Sequence, residues 1–178
     1  LFNEPAKAYR HSEAGMALRA SISGTLTVPW LQLINALSIL ALLPNTSILQ
    51  QPARLKNVRQ TLRYLRKLAR FSPENHRHHA DLPQAELYRR RHQYTRAMDL
   101  YEQAIEHARQ QGFVLDEAMA SELAGQFYLD WDKPGIARTY LQDAYERYAD
   151  WGGRAKLEQM QQQYPFTLAH PLRHWDEL

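Results

Sequence analysis

The chain has 178 residues, 44% of them hydrophobic, enough for one domain or a short repeat array with its own core. It has no cysteine, which excludes disulfides, thiolate metal sites and a cysteine nucleophile and suits a reducing compartment. The net charge of +3 conceals a split: residues 54–96 carry 12 Lys/Arg against 3 Asp/Glu, and residues 97–163 carry 6 against 12, a division able to steer a partner or draw two halves together.

The chain begins at Leu1 rather than Met and reads as a fragment or processed product. Leu1–Ala20 mixes charge with small residues, without the basic start and apolar run of a secretory signal. The sequon Asn45-Thr46-Ser47 and the terminal Asp-Glu-Leu are read as chance matches. A first, Ala-rich helix is expected from Glu4 to Ala20. The segment 23–29, SGTLTVP, reads as an extended connector, because a lone β-branched stretch has no strand to pair with. Pro29 suits the first turn of a helix running to Leu43, stopped by Pro44-Asn45. That apolar run, 30–43, holds Gln32, Asn35 and Ser38 and falls short of the roughly 20 residues a bilayer span needs, so it reads as a buried helix.

From Pro52 to Phe71 the pattern is strongly amphipathic. Leu55, Val58, Leu62, Leu65 and Ala69 form an apolar stripe. Lys56, Arg59, Arg63, Arg66 and Arg70 repeat the same spacing one residue later, about 100° round the helix. Ser72-Pro73 breaks it. Helical patterns follow at 82–91, 93–111, 114–131, 134–150 and 153–163, with Gly112 as a C-cap, Asp132–Gly135 as a turn and Trp151-Gly152-Gly153 as a stop. The tail 164–178 has little periodicity and reads as loose.

A shift of 40 residues lays 84–111 on 124–151. Tyr88 meets Tyr128, Ala97 meets Ala137, Ala104 meets Ala144, Glu106 meets Glu146, Ala85 meets Gly125 and Tyr101 meets Leu141. Small residues and aromatics match while surface positions drift, as close helix packing demands. These offsets follow the tetratricopeptide pattern, whose period is about 34 residues; the six extra residues are assigned to a lengthened helix or connection at 109–121. The expected architecture is all-α: a tetratricopeptide-like superhelix of about eight helices in one domain, 1–163. Its repeats are clearest at 78–111 and 118–151, with a degenerate unit at 30–71 and a closing helix at 153–163.

No phosphate-binding glycine loop, HExxH or nucleophile elbow occurs. His76, His78, His79 and His92 invite a metal reading, but only Asp81 is at hand to extend a set that needs four ligands, and a solvated helix start is the plainer account. No catalytic, cofactor or metal residue is assigned. The basic helix 54–70 has only Tyr64 and Phe71 as aromatic company and no base-reading motif, so a solvated face or a dock for an acidic neighbour is preferred to nucleic acid. On the repeat template the first helix of each unit lines the concave side. This points to Glu86, Arg89 and Arg90 in one unit and Glu122, Gln126 and Asp130 in the next as partner-binding positions.

Four motifs in order carry a family resemblance: A-M-x-L-Y-x-x-A-I from Ala97, E-A-x-A-x-E-L-A-x-x-F-Y-L from Glu117, A-x-x-Y-L-x-x-A-x-x-x-Y-x-x-W-G from Ala137, and A-K-x-E-x-x-x-x-x-Y-P from Ala155. With the segment 23–44, they make residues 10–165 resemble the helical segment of very large bacterial signalling proteins. Those proteins join a serine/threonine kinase-like domain, an AAA-type ATPase, a long tetratricopeptide-like superhelix, GAF or PAS sensors and a histidine kinase or other output domain. The resemblance implies a non-catalytic cytoplasmic scaffold or transducer that contacts neighbouring domains or a peptide, with no cofactor and no membrane partner. A free-standing peptide-binding adaptor is the alternative, and nucleic-acid binding through 54–70 a lesser one. Pro83 departs from the family, which usually continues an unbroken helix there; proline is expected to start or kink the helix.

Overall fold

Prolines open four of the helices. Pro5, Pro52, Pro73 and Pro134 all sit in a first turn, where no amide donor is needed. The computed structural model describes residues 4–18 and 27–165. The expected connector at 23–26 and the tail 166–178 lie outside the described residues; the first helix ends at Ala17, capped by Leu18, short of the expected Ala20. Within them are α1 (Pro5–Ala17), α2 (Thr27–Leu42, continued by a 3-10 turn, Leu43–Asn45), α3 (Gln51–Phe71), α4 (Pro73–Arg90), α5 (Tyr94–Gln110), α6 (Val114–Asp130), α7 (Pro134–Asp150) and α8 (Arg154–Gln163). No strand occurs among the described residues, and the fold is an all-α helical repeat. The chain divides into two compact units at Gly112: α1–α5 before it and α6–α8 after it.

In the first unit, Ile39, Leu40 and Leu43 of α2 and its 3-10 turn pack with Val58 and Leu62 of α3 and Leu87 of α4. Thr27–Asn45 is long and apolar enough to cross a bilayer by length and composition alone. Here it is a core helix: Leu33, Ala36 and Leu40 have no exposure. Polar bonds fix its register. Asn35 donates to Ser12 Oγ (3.1 Å) and Glu13 Oε1 (3.3 Å) on α1, and Gln32 accepts from Thr61 on α3 (3.0 Å). Thr27 and Val28 belong to the helix rather than to an extended connector; in the first turn their branched side chains have no preceding turn to crowd against.

Two expectations about α4 change. It starts at Pro73 instead of 82, and it runs through Pro83. Proline there leaves the His79 carbonyl without its helical donor, a cost of about 3 kcal/mol in an isolated helix. Pro83 is fully buried beside Leu82, Ala85 and Leu87, and that packing offsets the loss.

In the second unit, Ala118, Leu141, Ala144, Tyr145, Tyr148, Met160 and Tyr164 form the core. Tyr164, assigned to the loose tail by its sequence, belongs to it. Gly125 sits where α6 meets α7: a Cβ there would lie 2.6 Å from Leu141 Cγ and 3.3 Å from the Ala137 carbonyl oxygen.

The helix ends reveal a finer period than the sequence shift. His92, Gly112, Asp132 and Gly152, spaced 20 residues apart, all have positive φ (55°, 73°, 56° and 85°). After α4, α6 and α7 the same pair of bonds closes the helix. Gln93, Lys133 and Gly153 amides reach back to the carbonyls of Tyr88, Tyr128 and Tyr148, and His92, Asp132 and Gly152 amides to those of Arg89, Leu129 and Ala149. This is the Schellman arrangement. Helices α5, α6 and α7 have 17 residues each, and three-residue turns join them. The residues beyond a 34-residue repeat are therefore spread over every helix, not inserted at 109–121.

Candidate functional site

The six partner-binding candidates fall into different environments. Glu86 and Glu122 are buried, 7% and 5% exposed, and are not surface groups. Glu86 accepts from Tyr101 Oη (2.5 Å) and pairs with Arg89 (3.0 Å). Glu122 accepts from Tyr148 Oη (2.9 Å) and from Lys156 Nζ (2.7 Å). Gln126 is half-buried and donates to Tyr164 Oη (2.7 Å). Arg89 and Arg90 are half-buried and Asp130 is exposed. The concave-face expectation fails for the two glutamates because their stretches of helix are buried on nearly every side: α4 buries Ala85, Glu86 and Leu87 in succession, and α6 every residue from Asp116 to Glu122.

The second unit holds the strongest electrostatic feature. Lys156, on α8, is 1% exposed, with its ammonium shared between Glu122 and Gln159 (both 2.7 Å) and 5.2 Å from the Tyr148 ring centroid. Burial lowers its pKa, and Glu122 pulls it back up. Burial, then the Glu122 charge, drives the Tyr148 phenol well above its ordinary value. The sequence shows Lys156 only as one cation in the closing motif; its burial depends on tertiary packing.

In the first unit, His76, His78 and His79 are buried on α4 rather than solvated, with His78 and His79 rings 4.2 Å apart and His76 and His79 rings 5.9 Å apart. Burial and its two neighbours lower the His76 pKa. Asp81 turns to Arg77 (3.9 Å) and His107 of α5 (3.7 Å). Burial lifts Asp81 to about 6, against the pull of Arg77 and Arg66. Burial, with Arg77 and His78, lowers His107.

The outward face of α3 carries one sign of charge. Lys56, Arg59, Arg63, Arg66, Lys67 and Arg70 are all exposed. Residues 14–73 contain no Asp or Glu. Arg66 bonds Gln84 (2.8 Å). Beside the start of α3 lies an open cleft of about 300 Å³, lined among others by Tyr9, Arg10, Asn45, Thr46, Ser47 and Arg54. Arg54 lies over the Tyr9 ring, 5.5 Å from its centroid. The sequence shows the stripe; the cleft, built from α1 and the turn before α3, has no sequence signal.

Comparison with protein-family models, with curated proteins and with solved structures gives no match.

Proposed function

We propose that the chain is a non-catalytic helical-repeat scaffold or transducer within a multidomain cytoplasmic bacterial signalling kinase/ATPase, making protein–protein or interdomain contacts. The observation that carries this reading is the recurrence of one hairpin design: 17-residue helices, Schellman closures and small residues at matched positions. Ala85, Ala97, Ala104, Ala137 and Ala144 have no exposure, and Gly125 is buried. A chain built this way devotes its small and aromatic residues to stacking helices and leaves its charged faces for partners. Three buried ionisable groups fit a structural role: Glu86 is satisfied by Tyr101 and Arg89, and Glu122 and Lys156 by each other, with Tyr148. The resemblance carried by the four motifs supplies the kinase/ATPase setting.

Reading the coding sequence on both sides of this segment tests that setting. Flanking kinase-like, ATPase or sensor modules are expected, and flanks without them overturn it. Nucleotide turnover by the isolated chain would overturn the non-catalytic assignment.

A further inference from the structure

We propose that the outward face of α3, together with the turn before it, docks on an anionic lipid bilayer. The reading of the chain as a scaffold does not enter this argument, and the sequence alone suggests no membrane partner.

Two observations converge. The first is charge. Six exposed cations lie on α3, on an arc of about 100° by the 100° turn per residue, and neither α3 nor the chain from residue 14 to 73 contains an acid. The acids on flanking elements are engaged: Glu13 accepts from Asn35, Glu4 pairs with Lys7, Glu74 bonds Ser72, and Asp81, whose carboxylate feels Arg66, turns to Arg77 and His107.

The second is apolar exposure at both ends of the stripe. Leu49, Ile48 and Phe71 are 90%, 82% and 80% exposed, more than any other large hydrophobic among the described residues. The Gln51 and Arg54 amides bond the carbonyls four residues back, Ser47 and Gln50, so the helical path extends through the turn. On that path Ile48 and Leu49 fall at the two edges of the cation arc, and Phe71 lies about 40° beyond one of them. The whole face is roughly 35 Å long. Single exposed apolar residues need no explanation; the three most exposed bracketing one uninterrupted cationic helix do.

A bilayer fits better than the other polyanions. Duplex nucleic acid offers phosphate to the arginines but no apolar phase for Ile48 and Leu49. An acidic protein would need separate pockets for apolar groups that stand roughly 35 Å apart on a convex face. An anionic membrane supplies headgroup charge along the stripe and hydrocarbon at any spacing, with each cation near the surface adding to the attraction.

The test is co-sedimentation of the full chain with vesicles of phosphatidylcholine plus phosphatidylserine, against phosphatidylcholine alone. Binding to the mixed vesicles only, released by high salt, is expected. Arg59→Glu/Arg63→Glu/Arg70→Glu should weaken partitioning roughly a hundredfold or more. The charge-neutral Ile48→Ser/Leu49→Ser should weaken it at least about tenfold while leaving most of the salt dependence. All five positions are exposed, so far-UV circular dichroism should match the parent chain. Failure to sediment with anionic vesicles, equal binding to neutral ones, or unchanged binding by the triple variant overturns the proposal. Salt-sensitive binding to duplex DNA or RNA without vesicle binding overturns it in favour of nucleic acid.

Discussion

In the α4–α5 hairpin the small residue at the match position is Ala85 and its counterpart on the second helix is Tyr101; in α6–α7 they are Gly125 and Leu141. Tyr101 fills its gap and also delivers a hydroxyl to the buried Glu86, which Arg89 balances from the same helix. Leu141 fills its gap against Gly125 and brings no hydroxyl. In that unit the phenol comes from Tyr148, and the balancing cation from Lys156 on a third helix. One backbone plan thus admits two answers to a buried glutamate, one local to a hairpin and one that ties in the closing helix. The local answer leaves its cation's side chain 18% exposed; the other encloses its cation at 1%.

The largest effect follows from that enclosure. Lys156→Met leaves Glu122 buried without its cation and should destabilise the α6–α8 unit by about 3–5 kcal/mol, whereas Lys156→Met/Glu122→Gln should recover most of the loss. Arg89→Met, the matching change in the other hairpin, should cost only about 1 kcal/mol because solvent reaches the site. Thermal melts of the three variants decide it; equal losses for Lys156→Met and Arg89→Met would erase the distinction between the units.

Gly125→Leu should cost about 1–3 kcal/mol or more, because even a Cβ meets Leu141 and the Ala137 carbonyl. Ala85→Gly in the sister hairpin should cost about 1.5–2 kcal/mol, the helix-propensity effect of glycine plus the loss of a fully buried methyl. Hydrogen exchange should show the Gly125→Leu loss concentrated in α6–α8. Unchanged protection there would mean that the close approach of α6 and α7 is not needed.

Asp81 distinguishes the first unit by pH. Its pKa of about 6 in the fold lies above its ordinary 3.8, so the folded state favours the protonated carboxyl. That stability is present below about pH 4 and is lost as the pH rises through about 6. Asp81→Asn should therefore raise stability by on the order of 1–2 kcal/mol near pH 8 and change it little near pH 4. A variant equally shifted at both pH values would show that lost contacts with Arg77 and His107, not ionisation, govern the site.

The smallest expected effect tests whether the turns are equivalent. His92→Gly and Asp132→Gly should each stabilise the chain by roughly 0.5–1 kcal/mol, since both residues hold left-handed backbone. Gly112→Ala and Gly152→Ala should each destabilise it by a similar roughly 1 kcal/mol. Melting temperatures that move the same way in all four variants would break the equivalence.

The helices from α5 onward were legible because apolar spacing, Pro134 and the glycines all point to one register. The 20-residue beat was hidden, since two of its four left-handed positions are filled by His92 and Asp132 instead of glycine. Pro83 misled because a local rule, proline against helix, is overridden by burial on both sides of it. Glu86 and Glu122 misled for the opposite reason: charge suggests water, while the burial of their helices on nearly every side puts them in the core. A tyrosine available on the next helix decides between these in Glu86, and that pairing is a tertiary fact. The cationic stripe of α3 was plain in the sequence, whereas the exposure of Ile48 and Leu49 beside it was not.

The left-handed residues at 92, 112, 132 and 152 also bear on how such a chain changes length. Each is followed by a single residue that starts the next helix. A join from Gly112 directly to Gly153 would keep both the reversal and the helix start that follows it, with 40 residues gone and no new turn chemistry required. Duplication or loss of whole hairpins is therefore geometrically neutral at the junction. What limits the molecule's growth is whether each added helix pair finds a neighbour for its apolar face, not whether the chain can turn.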